Sequence, residues 1–206
     1  MFLLMKNKLL IILLTGAWFI GLLFQGCHSR YTPKPRGYYR IDFPEKKYKP
    51  YSGPCPYTFE YPVYGIVEKD DEPGSEPCWL NISFPAYKGK LHLSYKKVEG
   101  NLDLLLEDAH TLAYKHTVKA DAIDEQLILK PGTNVYGTLY NIKGNAASSI
   151  QFFLTDSTRN FIRGALYFRT QINKDSLAPV IRFFRKDVIY FIDTFKWRSG
   201  KQKSRD

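Results

Sequence analysis

Residues 123–170 read IDEQLILKPGTNVYGTLYNIKGNAASSIQFFLTDSTRNFIRGALYFRT, and the punctuation of this stretch decides the fold. Four runs, Ile123–Leu129, Asn134–Ile142, Ser148–Thr155 and Phe161–Thr170, are rich in β-branched and aromatic residues that alternate with polar ones. The links between them, Lys130-Pro-Gly-Thr133, Lys143-Gly-Asn-Ala146 and Asp156-Ser-Thr-Arg159, are short and built from turn-forming residues. A parallel connection needs a crossover of about a dozen residues, so these strands are antiparallel hairpins.

Upstream, Tyr57–Tyr61, Cys78–Phe84 and Lys90–Lys96 show the same alternation and read as three more strands. Between the two groups, Asn101–Val118 repeats Leu102, Leu105, Leu106, Ala109, Leu112, Ala113 and His116 at helical steps, with Asn101 as the expected cap. His116 on that stripe reads as a packed histidine. A second helix is predicted over Ser176–Trp197, capped at Asp175-Ser176. Its continuous stripe is Leu177, Ile181, Phe184, Val188, Phe191, Ile192 and Phe195. The order of elements gives an α+β fold: a mostly antiparallel seven-stranded sheet covered by two main helices, an α/β sandwich.

The chain has 206 residues, 44% of them hydrophobic and 16% aromatic, which suffices for one core and excludes intrinsic disorder despite a formal net charge of +10. Met1–Gly26 has the plan of an export signal. Lys6 and Lys8 precede an apolar run from Leu9 to Phe24, too short for an ordinary transmembrane span, and Gly26-Cys27 follows. A thiol at that point is the nucleophile that a lipoprotein signal requires, so Cys27 is the expected lipidation site. The organisation is then a signal peptide at 1–26, a lipidated cysteine with a basic, aromatic, Pro-rich arm at 27–51, one α+β domain at 52–197 and a basic tail at 198–206.

The charge is unevenly distributed. His28–Tyr51 carries seven Lys or Arg against Asp42 and Glu45, and 198–206 carries four against Asp206, which leaves Ser52–Trp197 neutral with 17 of each sign. A basic excess confined to two flanks of an exported chain argues against nucleic acid as a partner and fits anionic headgroups or an acidic protein face.

Two features exceed what folding a sheet demands. In the arm, Tyr38, Tyr39, Phe43, Tyr48 and Tyr51 interleave with cations on a Pro-stiffened segment, whereas a spacer gains nothing from exposed rings. On the last helix, Phe183, Tyr190 and Trp197 form a second line beside the main stripe. Tyr38, Tyr39, Phe43, Phe183, Tyr190 and Trp197 are therefore the candidate partner-docking residues. Docking of the arm on its own domain is the alternative.

Cys55 and Cys78 flank the acidic run Glu68–Glu76, and in an oxidising compartment the two would pair and close a loop. That acidic run lacks the ligand spacing of a calcium loop and reads as solvated. No G-x-S-x-G, H-E-x-x-H, Walker or dinucleotide-binding motif occurs. No catalytic residue, metal site, cofactor or small-molecule substrate is expected.

Several runs are specific enough to recognise. Gly144-Asn-Ala-Ala-Ser148, Gln151-Phe-Phe-Leu-Thr-Asp-Ser157, Phe161-Ile-Arg-Gly-Ala-Leu-Tyr-Phe168, Asn173-Lys-Asp-Ser-Leu-Ala-Pro-Val180, Thr194-Phe-Lys-Trp197 and the arm Tyr31-Thr-Pro-Lys-Pro-Arg-Gly-Tyr-Tyr-Arg-Ile-Asp-Phe-Pro44 resemble the gliding-motility lipoprotein GldD family of Bacteroidetes. The resemblance implies a non-enzymatic envelope lipoprotein needed for gliding and for type IX secretion, held among other lipoproteins of that machinery. It carries over Cys27 as the lipid site and no catalytic residue. Surface-exported lipoproteins of that phylum have acidic residues after the cysteine. His28-Ser-Arg30 is basic, which implies an outer-membrane protein that faces the periplasm. A ligand-binding module for peptidoglycan or glycan is the alternative function.

Overall fold

The computed structural model describes residues 40–169, apart from 116 and 118, and residues 174–198. Cys27, Tyr38, Tyr39, His116 and most of the basic tail lie outside the described residues. Residues from Arg40 onward form one compact unit, so residues 40–51, which the sequence assigns to the arm, are built into the domain.

The strands are β1 (Tyr48–Pro50), β2 (Tyr57–Thr58), β3 (Glu60–Pro62), β4 (Ile66–Lys69), β5 (Leu80–Phe84), β6 (Gly89–Lys97), β7 (Ala120–Lys130), β8 (Val135–Gly144), β9 (Ser148–Thr155), β10 (Asn160–Phe168) and β11 (Lys196–Trp197). The helices are α1 (Leu102–Tyr114) and α2 (Lys174–Thr194). Seven strands form one sheet in the order β4-β5-β6-β10-β9-β8-β7, and every pairing in it is antiparallel. The fold is the α+β sandwich expected from the sequence.

Its membership differs in one place. The expected strand Tyr57–Tyr61 is not in the sheet. Its two halves serve separate two-stranded ribbons, β2 with β11 and β3 with β1. The seventh strand is β4, which takes Glu68 and Lys69 from the expected acidic loop and pairs with β5 from Ile66↔Ser83 to Lys69↔Leu80.

The period of two separates the faces. Ile162, Leu166 and Phe168 of β10, Ile150, Phe152 and Leu154 of β9, and Leu91 and Leu93 of β6 pack in the core that contains Phe184, Val188, Phe191 and Phe195. Phe161 and Phe153, which point the other way, meet Ala109 and Ala113 of α1. Alanines four apart let α1 approach closely enough for the stacked Phe153 and Phe161 rings, 5.6 Å between centroids, to fill the interface. Gly164 keeps the α2 side flat, because a Cβ there would come within 2.2 Å of the Phe152 ring.

Both helix ends depart from the sequence reading. Asn101 precedes α1, but its Oδ1 accepts from Glu99 N at 2.9 Å and caps nothing in the helix. α2 begins at Lys174, so Asp175 and Ser176 fall within its first turn and not before it. It stops at Thr194, three residues earlier than expected, and Trp197 belongs to β11. Lys130, at the end of β7, donates to the Ile192 carbonyl at 2.9 Å. A cation thus sits where the helix carries partial negative charge, which fixes α2 against the sheet edge.

Candidate functional site

The most elaborate polar arrangement in the molecule lies where the end of the arm crosses α2. β1 holds the arm to β3 through Tyr48↔Pro62, Lys49↔Tyr61 and Pro50↔Glu60, a ladder too short to fix position by itself. Rings and one buried carboxylate do the rest. Phe43 stacks on Phe183 at 4.3 Å and on Tyr87 at 5.8 Å, and Tyr48 stacks on Tyr190 at 3.7 Å. Tyr190 donates to Glu60 Oε2 at 2.7 Å, which ties the same helix face to β3.

At the centre is Asp187, only 4% exposed. Lys46 Nζ lies 2.7 Å from its Oδ2, donates to Tyr64 Oη at 2.8 Å and to the Phe183 carbonyl at 3.1 Å, and sits over the Phe183 ring 3.1 Å from its centroid. Tyr48 donates to Asp187 Oδ1 at 2.9 Å, and Tyr64 to Oδ2 at 2.7 Å. Three donors converge on two oxygens, which is how a buried charge becomes tolerable. Burial pulls the Lys46 ammonium below the usual lysine range, more than attraction to Asp187 restores. Burial, then the hydrogen bond to Asp187, pushes Tyr48 and Tyr64 well above ordinary phenols.

Four candidate partner-docking residues can thus be placed. Phe43, Phe183 and Tyr190 build this seat, and Trp197 packs edge-on against Phe195 at 4.7 Å and pairs with Tyr57. All four are half-buried against the chain's own aromatics, and Phe183 and Tyr190 of the helix's second line are joined to the arm's Phe43 and Tyr48. Sequence reasoning missed Lys46, Tyr64 and Asp187. The available signal was Asp187 itself, a carboxylate one turn from Phe183 and Phe191 on an apolar stripe, which demands a cation from elsewhere.

A second feature lies at the other end of the β4 edge. Cys55 and Cys78 are bonded, with Cα atoms 5.4 Å apart. Beside the bridge runs an open groove of about 630 Å³, floored by Tyr51, Val67, Trp79 and Leu80 and rimmed by Glu68 and Glu76. Trp79 is held by donation from Nε1 to the Tyr95 carbonyl at 2.7 Å, with Lys96 above its ring and paired to Glu76. Among the described residues no three His, Cys, Asp or Glu side chains converge as a metal site would require, and no helix is long and apolar enough to cross a membrane.

Residues 28–197 match the family described as gliding motility lipoprotein GldD. Among solved structures, the chain is similar to the solution structure of cyanobacterial PsbP (CyanoP) from Synechocystis sp. PCC 6803, with 14% identity and a TM-score of 0.47 over 79% of this chain and 97% of that one. No curated protein matches the sequence.

Proposed function

Because this chain belongs to the gliding motility lipoprotein GldD family, we propose that it is a non-enzymatic assembly component, which stabilises neighbouring lipoproteins of the gliding apparatus and of the associated type IX secretion machinery. Family membership makes it a lipid-anchored protein of the cell envelope. In this reading the acyl chains are on Cys27, the anchor is in the outer membrane, and the domain faces the periplasm. The observation that carries the proposal is the seat at Asp187. Twelve residues lie between Cys27 and Arg40, thirteen steps of the chain that can span at most about 45 Å. The chain after them is fastened to α2 by an ion pair, two phenols and two ring stacks. The end of the arm thus has a defined place on the domain, which gives an assembly factor a constant surface to present to its neighbours.

Since Phe43, Phe183 and Tyr190 are engaged internally, partner contact falls to Tyr38 and Tyr39 before the seat and to the outer side of α2. There Arg182, Arg185 and Lys186 are exposed beside Ile189. Photo-crosslinkers at Tyr39 and Arg185 in living cells test this. Adducts to other envelope lipoproteins are expected, and adducts to none would defeat the proposal. The groove beside the disulfide favours one alternative, a peptidoglycan- or glycan-binding module, since Tyr51 and Trp79 offer ring faces next to Glu68 and Glu76. Retention on purified sacculi without recovery of protein partners would select that reading.

A further inference from the structure

Besides the sides it turns to the sheet and to the arm, α2 has a third. Val180, Phe184, Val188 and Phe191 belong to the core, and Phe183, Asp187 and Tyr190 meet the arm. Ala178, Ile181, Arg182 and Arg185, three and four residues apart, make another stripe. This stripe and the end of β8 line an open pocket of about 390 Å³. Its lining is of two kinds. Ile142, Ala178 and Ile181 are apolar and buried or half-buried, whereas Lys143, Arg182 and Arg185 are exposed cations. Among the described residues neither arginine has a carboxylate partner. Lys143 pairs with Asp124 at 2.7 Å, but both side chains are more than half exposed, so an arriving anion displaces little. Ser52–Trp197 carries equal numbers of acids and bases, so three cations around one pocket are a matter of placement and not of a general excess.

We propose that this pocket holds the phosphate headgroup of an anionic phospholipid from the membrane that carries the protein's own anchor. Three observations select this occupant. First, charge: two guanidinium forks and an ammonium border one small volume, and a guanidinium matches phosphate oxygens two at a time. Second, the apolar lining: free phosphate gains nothing from Ile142 and Ile181, whereas the glycerol and first methylenes of a lipid cover them. Third, supply: membership of the family makes the chain lipid-anchored. Phe43, near the start of the described chain, stacks at 4.3 Å on Phe183, the neighbour of Arg182. The segment that follows the anchor in sequence therefore joins the domain at the turn of α2 that carries the pocket's arginines. A tether raises the effective concentration of what lies at its other end, here lipid headgroups. Lys186 and Ile189 do not line the pocket and stay available for contact with protein.

The test uses the acylated protein, reconstituted alone into phosphatidylcholine vesicles that carry a trace of photoactivatable phosphatidylglycerol or, in a second arm, of photoactivatable phosphatidylcholine. Flotation shows that the anchor inserts equally in both, and peptide mass spectrometry after illumination maps the adducts. Residues 142–144 and 178–185 should be labelled several-fold more by the anionic probe than by the zwitterionic one. Arg182→Gln and Arg185→Gln should each lower that labelling about fivefold. Both side chains are exposed, so Tm should stay where it is. Equal labelling by the two probes, or labelling that survives both substitutions, overturns the proposal. Loss of labelling when inorganic phosphate replaces chloride at constant ionic strength would make the ligand a free anion and overturn the lipid. Labelling that appears in vesicles but is absent from native envelope membranes would give the pocket to an acidic protein partner instead. The vesicles contain no second protein, so failure here is distinct from failure of the assembly role.

Discussion

Replacing Asp187 by Ala removes the acceptor on which Lys46, Tyr48 and Tyr64 converge. Removing one partner of a buried ion pair costs about 3–5 kcal/mol, chiefly through the charge left behind. Lys46 is a quarter exposed, 25% against 4% for Asp187, so the ammonium can turn toward water and the lower end of that range applies. Two half-buried phenols also lose their acceptor, which adds about 1 kcal/mol. The variant Asp187→Ala should therefore cost about 3–4 kcal/mol, or about 10 °C in Tm for a domain of this size. Chemical denaturation and scanning calorimetry of the single variant measure it. Replacing both charges, Lys46→Met with Asp187→Leu, leaves no buried charge unpaired, only the two phenols without their acceptor, and should recover most of the loss. A single variant that costs less than about 1 kcal/mol would show that the pair behaves as a surface bridge, and the clamp would lose its basis. A double variant no better than the single would show that packing and not charge is at stake.

Tyr48, Tyr57 and Tyr64 hold their protons far above ordinary phenols, each chiefly through burial. Their contribution is complete below about pH 10, where an unfolded tyrosine is still protonated, and is lost as pH rises toward the folded values, so alkaline unfolding should coincide with a cooperative rise in phenolate absorbance. At the acid end, burial would raise Asp156, but hydrogen bonds from Thr158, Arg159 and Asn160 hold it below the usual carboxylate range. Its stabilisation is present above about pH 4 and is lost as pH falls through the folded value, a limb of the stability–pH curve that Asp156→Ala should erase. Reducing the Cys55–Cys78 bridge, or Cys78→Ser, should cost about 3 kcal/mol from a loop with sequence separation 23, seen as a lower denaturation midpoint. Cys27→Ser should abolish acyl labelling and release the protein from the membrane fraction, and unchanged labelling would refute the assigned site.

What the sequence reveals follows the length scale of each interaction. β9 was legible to the residue because turn-forming links bound it on both sides. β4 was hidden, since Ile66-Val-Glu-Lys69 is short and merges into an acidic run, and only its ladder with β5 makes it a strand. Tyr57–Tyr61 alternates as expected, with Tyr57 and Phe59 buried, but its hydrogen bonds change partner midway, from β11 to β1. Inward-facing side chains are a local property, whereas the choice of neighbouring strand is set by distant segments. The same limit applies to the site. Two aromatic surpluses, one in the arm and one on α2, were visible as sticky surfaces. That each is the other's complement depends on a contact across more than 130 residues.

The ion pair within that contact resolves an ambiguity that the rings leave open. Stacking among Phe43, Phe183, Tyr48 and Tyr190 is only weakly directional, and a three-residue ladder between β1 and β3 does not exclude a slip along α2. Successive turns of α2 offer rings at 183, 184, 190 and 191, so a shifted arm would still find aromatic partners. It would not find a second carboxylate, because Asp187 is the acid that α2 presents beneath the arm, while Asp193 and Asp175 lie at the ends of the helix. Lys46 therefore has one seat at which its charge is matched, and a one-turn slip leaves both charges unpaired at a cost larger than any ring contact. The rings supply attraction and the buried pair supplies register.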